Sequence, residues 1–190
     1  MKSIKQNYEL KTEVKKSVFI AHLCPFECFK ELLLELKKEH NKAVHFVWAF
    51  RRLNEFSQII EDKSDDGEPK GTSGLPCLNV LRGAELINVA VIVVRYFGGI
   101  KLGTGGLVRA YSGAVNAVIN TASLSEFECK QDLALSLPLS LFARMQHYLI
   151  TNGLDFNKEF KAQKAFVKVW VNEDEKKALI DFAQKLGISP

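Results

Sequence analysis

Short apolar runs alternate with polar segments along the whole chain, and their periodicity predicts an ordered series of strands and helices. Runs rich in β-branched or aromatic residues predict strands, whereas apolar residues recurring at i, i+3, i+4 and i+7 predict amphipathic helices. The clearest strand is NVAVIVVRYF, which contains a run of six consecutive aliphatic residues. Over the first two thirds of the chain, the pattern predicts strands at 13–23, 43–50, 55–61 and 88–97, and helices at 26–40, 74–81 and 106–120.

A change in composition at residues 124–131 predicts a linker, and a second, smaller set of elements follows it. The last helix is expected to begin at Asn172, because Glu175 stands three residues later as in a capping box, and to end at Gly187. The predicted elements are strands at 132–139, 154–160 and 165–171, and helices at 140–152 and from Asn172. This β-α-β-β-α order is typical of a ferredoxin-like domain, but too few residues follow Gly187 for its final strand. We therefore predict two domains, at 1–125 and 130–190.

The composition is that of an ordinary globular protein, with 190 residues, 47% hydrophobic residues and a net charge of +4. This charge is too small for a protein that coats DNA, so an anion-binding surface must be local. The longest aliphatic run, residues 89–94, is far shorter than the roughly 20 residues of a membrane-spanning helix. The N-terminal residues lack the apolar region of a secretory signal. We expect a cytoplasmic protein with no membrane association.

The four cysteines show no paired C-x-x-C spacing, which argues against a structural zinc site. Free thiols in a reducing compartment are the favoured interpretation. The residues concerned are Cys24, Cys28, Cys77 and Cys129.

Residues 95–111, RYFGGIKLGTGGLVRAY, hold five of the chain's twelve glycines and three cations but no acid. The stretch joins a predicted strand to a predicted helix, where free N–H groups and the helix dipole favour an anion such as phosphate. Thr104 is expected to cap that helix. The alternative is that the glycines serve only a tight turn, since the spacing fits neither a P-loop nor a dinucleotide fingerprint. The candidate phosphate- or nucleic-acid-binding residues are Arg95, Gly98, Gly99, Lys101, Gly103, Thr104, Gly105, Gly106 and Arg109.

A second candidate is the acidic loop, defined as Asp65, Asp66 and Glu68. Three carboxylates this close together can hold Mg²⁺ beside a substrate phosphate. The favoured alternative is a turn in which the side chains accept local N–H groups, or in which Asp65 or Asp66 pairs with Arg95 or Arg109. The spacing matches no EF-hand loop, so no metal site is predicted.

His45 lies on the predicted strand 43–50 and is interpreted as a core or sheet-surface residue rather than a catalytic base. Tyr96 and Phe97 stand next to a cation, and they could stack on bases or belong to the core. No nucleophile–base arrangement can be read from the spacing, so no catalytic residue is predicted.

The segments SDDGEPKGTSGLP and VIVVRYFGGIKLGTGGLVRAYSGA closely resemble the signature of the YigZ/IMPACT family, and KKSVFIAHL and AVHFVWAF fit its N-terminal pattern. The resemblance implies an α+β protein of two domains. The first would be like domain 2 of ribosomal protein S5. The second would be ferredoxin-like, similar to the last domain of elongation factor G, and would lack its last strand. Val44 and Phe46 depart from the family pattern around the histidine, which weakens a reactive role for His45.

The resemblance implies binding of nucleic acid or of a ribosomal component and a role in regulating translation. Together with the residues, it favours a non-catalytic protein that holds phosphate at the glycine-rich loop and has no cofactor. One alternative is an enzyme that processes nucleotides or phosphate esters with Mg²⁺ at the acidic loop. Another is a protein-interaction module whose partner binds the open edge of the C-terminal sheet.

Overall fold

The computed structural model describes residues 1–128 and 130–188, so Cys129 and the last two residues lie outside the described part of the chain. The chain divides into two compact units, Met1–Phe127 and Glu128–Pro190. Each unit combines a sheet with helices, so the protein is of the α+β class. The assignments to an S5 domain 2-like and a ferredoxin-like fold stay predictions. No helix among the described residues is long and apolar enough to cross a bilayer.

The first unit is built on a five-stranded antiparallel sheet. The strands of the whole unit are β1 (Lys2–Ser3), β2 (Tyr8–Val14), β3 (Ser17–Pro25), β4 (His45–Leu53), β5 (Ile59–Ser64), β6 (Val89–Tyr96) and β7 (Ser125–Glu126). The helices of the unit are α1 (Phe29–Glu39), α2 (Gly74–Gly83) and α3 (Thr104–Thr121). The main sheet has the order β2-β3-β6-β4-β5, while β1 and β7 pair with each other. Strand β6 is therefore the centre of the sheet.

Both faces of this sheet are covered, which explains why β6 is an uninterrupted aliphatic run. Its residues alternate between two hydrophobic clusters: Val91 packs with α2 and α3 on one face, and Ile92 packs with α1 on the other. The candidate segments 61–76 and 95–111 flank α2 and α3, so both lie on the α2–α3 side of the unit.

Three sequence-based boundaries were wrong in the first unit. The predicted strand 13–23 covers the end of β2, a turn and most of β3, because Lys15 and Lys16 turn the chain with φ of 47° and 66°. The predicted strand 55–61 begins only at Ile59, because the Asn54 side chain accepts the N–H groups of Phe56 and Gln58 in a turn. Part of the predicted linker 124–131 is strand β7.

The second unit contains β8 (Gln131–Pro138), α4 (Leu139–Thr151), β9 (Phe156–Lys161), β10 (Lys164–Val171) and α5 (Glu173–Lys185). Its antiparallel sheet has the order β8-β10-β9, and one face packs against both helices. Asn172 and Glu175 form the predicted capping box at the start of α5. The described residues contain no strand after α5.

Candidate functional site

The acidic loop connects β5 to α2, and Asp65 organises the start of that helix. Its carboxylate accepts the N–H groups of Gly71 (2.7 Å), Ser73 (3.1 Å) and Gly74 (2.8 Å), and the Ser73 hydroxyl (2.7 Å). Burial by itself would raise the pKa of the Asp65 carboxyl, but the hydrogen bonds from Gly71, Ser73 and Gly74 outweigh it and hold the pKa below its usual value. Asp65 therefore acts as an acceptor for the loop that follows it.

Asp66 ties the acidic loop to β4. Its carboxylate accepts the N–H of Phe46 at 2.6 Å, and its backbone carbonyl lies 2.7 Å from Nδ1 of His45. Because a carbonyl oxygen only accepts, Nδ1 must carry the proton, which leaves Nε2 as the unprotonated nitrogen of the neutral ring. Nε2 lies 3.8 Å from Oε1 of Glu68, and the His45 side chain is 17% exposed. His45 is thus a partly buried residue that holds the loop.

Glu68 points inward and joins the two candidate segments. One of its oxygens, Oε1, accepts from the guanidinium of Arg95 and, at 2.7 Å, from the hydroxyl of Tyr111. Glu68 is 8% exposed and Arg95 is 5% exposed, so this is a buried ion pair. The Arg95 guanidinium also lies 5.5 Å from the ring centre of Phe19. Burial, and then the hydrogen bond to Glu68, raise the pKa of Tyr111.

The ion pair that Arg95 forms differs from the pairs considered from the sequence. One version of the turn alternative paired Asp65 or Asp66 with Arg95 or Arg109, but the acid that binds Arg95 is Glu68. Tyr111 was not among the predicted site residues; the signal that could have found its role is that a buried phenol needs a hydrogen-bond partner. Arg95 is committed to Glu68 inside the protein and does not converge with the two other cations of its segment at the surface.

The glycines of the 95–111 segment have separate structural roles. A Cβ at Gly98 would lie 2.0 Å from the carbonyl carbon of Lys16, so the β2–β3 turn packs directly against its backbone. The N–H of Gly98 also donates to Oγ of Ser17 at 3.1 Å. Gly99 and Gly103 have φ of 82° and 70°, in the region that favours glycine. The conformation of the turn therefore accounts for glycine at these three positions, independently of any ligand.

The start of α3 is open to solvent. The helix begins at Thr104, its cap is Gly103, and no side chain accepts from the cap region, so the expectation that Thr104 caps the helix was wrong. Gly105 and Arg109 are exposed, and a guanidinium nitrogen of Arg109 lies 3.7 Å from where a Cβ of Gly105 would be. The cation is therefore beside the first turn. Gly106 packs closely on Leu102.

Lys101 and Phe97 are exposed neighbours of this helix start in the sequence. The Phe97 side chain is 49% exposed, and its ring centre lies 5.8 Å from the Arg95 guanidinium. Tyr96 instead lies against the α1 side, where its hydroxyl is 2.9 Å from Nδ1 of His40. Only Phe97 of the two aromatic residues is thus available for stacking.

Metal-ligating side chains are not grouped in the described residues: no set of three or more His, Cys, Asp or Glu side chains there could hold a metal ion. Cys24, Cys28 and Cys77 are free, and burial raises the pKa of Cys24 to about 12. The prediction for Cys129 lies outside the described residues. The acidic loop can accept hydrogen bonds, but the Asp65 and Asp66 carboxylates already do so within the protein.

The sequence comparisons identify the family. A family model described as the Impact N-terminal domain matches residues 15–119, more than half of the chain. The chain belongs to the IMPACT family. An IMPACT family member of Bacillus subtilis, YvyE, is 30% identical over 187 residues, covering 97% of this chain and 85% of its own.

Other IMPACT relatives are more similar over shorter stretches. A family member of Haemophilus influenzae is 42% identical over 65% of this chain, and YigZ of Escherichia coli is 43% identical over 56%. The chain spans 60% and 54% of the lengths of these two relatives. The identity to these two relatives is therefore higher than the identity to YvyE, but it extends over a smaller part of the chain.

Among solved structures, a crystal structure described as a hypothetical protein matches 96% of this chain and 92% of its own. The two are 28% identical, with a TM-score of 0.67, so the fold is shared along most of the IMPACT chain. The two-domain translational regulator Yih1 is 27% identical over 60% of this chain and 45% of its own, and its TM-score of 0.39 is too low for a structural comparison.

Proposed function

We propose that this IMPACT family member is a non-catalytic RNA-binding protein that acts in translation or its regulation, in the cytoplasm, by holding phosphates at the start of α3. One observation carries the proposal. The first turn of α3 is uncapped by any side chain and exposed, and the Arg109 guanidinium lies beside it. Unsatisfied N–H groups and a cation together make a phosphate site.

The surrounding charge supports an anionic ligand. Residues 86–125 contain no Asp or Glu, so no acid from that segment competes for Lys101 or Arg109. The acidic loop does not oppose them either, because Glu68 is buried against Arg95 and Asp65 accepts from its own loop. A local cationic surface is consistent with a protein whose net charge is only +4.

An exposed aromatic ring favours nucleic acid over free phosphate. Phe97 precedes the glycines and is 49% exposed, and such rings bind bases by stacking without sequence preference. Arg95, which is buried, takes the role of fixing the end of β6 rather than of touching phosphate. The link to translation comes from the resemblance of the acidic and glycine-rich motifs to the IMPACT family, which implies a regulator of translation. RNA or a ribosomal component is the partner, and no cofactor is assigned.

The test is RNA binding across a salt series. We would measure fluorescence polarisation of a labelled twelve-nucleotide U-RNA with the parent protein and with the Lys101→Ala/Arg109→Ala variant. The parent should bind with a clear salt dependence, and the variant should lose about 1.4 from the slope of log K against log salt, since each phosphate contact on a single strand contributes about 0.7.

A matched control removes two cations from elsewhere. Lys30 and Lys38 are exposed on α1, on the opposite face of the sheet from α3. The Lys30→Ala/Lys38→Ala variant should bind like the parent. Equal affinity and equal slope for the α3 variant and the parent would overturn the proposal.

A further inference from the structure

The sheet of the second unit has one open face, and its central strand places aromatic rings there. Strand β10 alternates strictly, with its inward residues buried against α4 and α5. The outward residues are Lys164, Phe166, Lys168 and Trp170, which we call the β10 outer row. Phe166 is 41% exposed and Trp170 is 37% exposed, although both rings would gain free energy from burial.

The cross-strand neighbours of the β10 outer row are small or polar, which leaves the Phe166 ring accessible, while Lys168 lies over one face of the Trp170 ring. Phe166 lies between Ser136 of β8 and Glu159 of β9 in the sheet register. Next along the strand, Lys168 lies between Ala134 and Asn157. These residues line a shallow depression of about 350 Å³ beside the Phe166 ring.

The charge around the rings is positive. In the sheet register the open face carries three lysines, Lys161, Lys164 and Lys168, and two acids, Asp132 and Glu159, because Lys158 lies opposite the inward Val167. The Nζ of Lys168 lies 5.7 Å from the ring centre of Trp170 and also pairs with Asp132. Glu159 pairs with Lys161 at 3.0 Å, and no acid among the described residues pairs with Lys164. The outer row therefore offers alternating cations and rings, about 6.8 Å apart along the strand.

The geometry points to this face as a base-stacking platform for single-stranded RNA, with Phe166 and Trp170 stacking on bases and Lys164 contacting the backbone. The platform rests on the proposed function, because both take RNA as the ligand. Single-stranded RNA fits better than an apolar peptide, since every base presents a π-face and the backbone complements the lysines. A peptide would instead need a continuous apolar floor, whereas Ser136, Ala134 and Asn157 surround the rings.

The test separates stacking from phosphate binding by using two ligands with the full-length chain. One is the twelve-nucleotide U-RNA, and the other is an abasic ribose-phosphate strand of the same length. The Phe166→Ala/Trp170→Ala variant should bind the U-RNA at least tenfold more weakly and should bind the abasic strand like the parent. The Phe166→Tyr/Trp170→Phe variant, which keeps both rings, should retain most of the affinity for U-RNA. Both residues are exposed, so the fold should tolerate these changes.

Tryptophan fluorescence gives a second readout. The chain has two tryptophans, so Trp170 is the only one left in a Trp48→Phe variant. Its emission should be quenched by U-RNA and unchanged by the abasic strand. Unchanged emission with bound U-RNA, together with unaltered affinity of the alanine variant, would overturn the platform.

The two proposals fail in different ways. If the Lys101→Ala/Arg109→Ala variant loses both ligands while the alanine variant of the outer row binds normally, the α3 site stands and the platform is wrong. If only the outer-row variant loses U-RNA, the platform stands and the α3 site is wrong. If the parent binds neither ligand at low salt, both are wrong.

Discussion

The guanidinium of Arg95 donates to the carboxylate of Glu68 in the interior of the first unit, where the two side chains are 7% and 4% exposed. The pair joins the end of β6 to the acidic loop, and Tyr111 brings in α3 through the same carboxylate oxygen. The acidic loop, the end of β6 and helix α3 are therefore held together by one acid. This connection sets the position of the glycine-rich segment that precedes the proposed phosphate site.

Removing one member of this pair should destabilise the protein strongly. Arg95→Met leaves the Glu68 charge buried beside the Tyr111 hydroxyl and, at 3.8 Å, Nε2 of His45, and we expect a loss of about 3–5 kcal/mol. Arg95→Met/Glu68→Met should cost less than the sum of the two single changes, because the second change removes the uncompensated charge. Urea denaturation followed by circular dichroism measures each free energy of unfolding.

An exposed ion pair provides the comparison for the Arg95 and Glu68 substitutions. Arg82 pairs with Glu61 at the surface, where the Arg82 side chain is 47% exposed. Arg82→Met should cost about 0–1 kcal/mol. Additive effects of the Arg95 and Glu68 substitutions would show that the two residues are not energetically coupled.

The strands and helices could largely be predicted from the sequence, whereas the pairing of side chains could not. The aliphatic run of β6 and the apolar stripe of α3 are local patterns that reflect burial directly. Glu68 and Arg95 are 27 residues apart, so their contact depends on strand register and helix packing, which no local pattern records. The β2–β3 turn was missed because two lysines, Lys15 and Lys16, occupy positions where glycine or asparagine would have signalled a turn.

Tyr111 should make the protein sensitive to alkaline pH. Burial and the hydrogen bond to Glu68 raise the pKa of its phenol, so the folded state keeps the proton where the unfolded chain loses it. The stability that depends on the protonated phenol is complete below pH about 10, the ordinary tyrosine pKa, and is lost as the pH rises above it. In Tyr111→Phe, the decrease in unfolding free energy between pH 8 and pH 11 should be smaller than in the parent.

A second tyrosine of the same unit controls for the other groups that titrate in this range. Tyr8 accepts the N–H of Ser123 through its hydroxyl and is only partly buried. Tyr8→Phe should show the same pH dependence as the parent. If Tyr111→Phe also follows the parent between pH 8 and pH 11, the buried phenol does not govern the alkaline transition.

Asp65 should contribute stability that disappears in acid. Its donors at Gly71, Ser73 and Gly74 hold the pKa of the carboxyl below its usual value, so the folded state favours the ionised form. That contribution is complete well above the unfolded pKa of about 3.9 and is lost as the pH falls through the lower folded pKa. Asp65→Asn removes the charge and one of the two acceptor oxygens, so it should cost about 1.5–3 kcal/mol at pH 7, and the difference from the parent should shrink toward pH 3.

Urea midpoints at pH 7, 5, 4 and 3 would measure this dependence. Asp62 lies exposed on the edge strand β5, so Asp62→Asn serves as the matched change of the same charge. Its difference from the parent should stay small at every pH. A difference for Asp65→Asn that is constant from pH 7 to pH 3 would mean that the loop does not depend on the ionised carboxylate.

Gly98 separates the structural role of the glycine-rich segment from its proposed ligand role. An alanine Cβ there would meet backbone atoms of the β2–β3 turn at 2.0–2.3 Å, so the turn or the segment must move. We expect Gly98→Ala to lower the free energy of unfolding by about 3 kcal/mol or more, at the upper end of overpacking costs. Gly83→Ala is the control, because nothing lies within 4 Å of its added Cβ and the protein should gain about 0.4–1 kcal/mol. A Gly98→Ala protein with parental stability but weakened RNA binding would instead assign this glycine to the ligand.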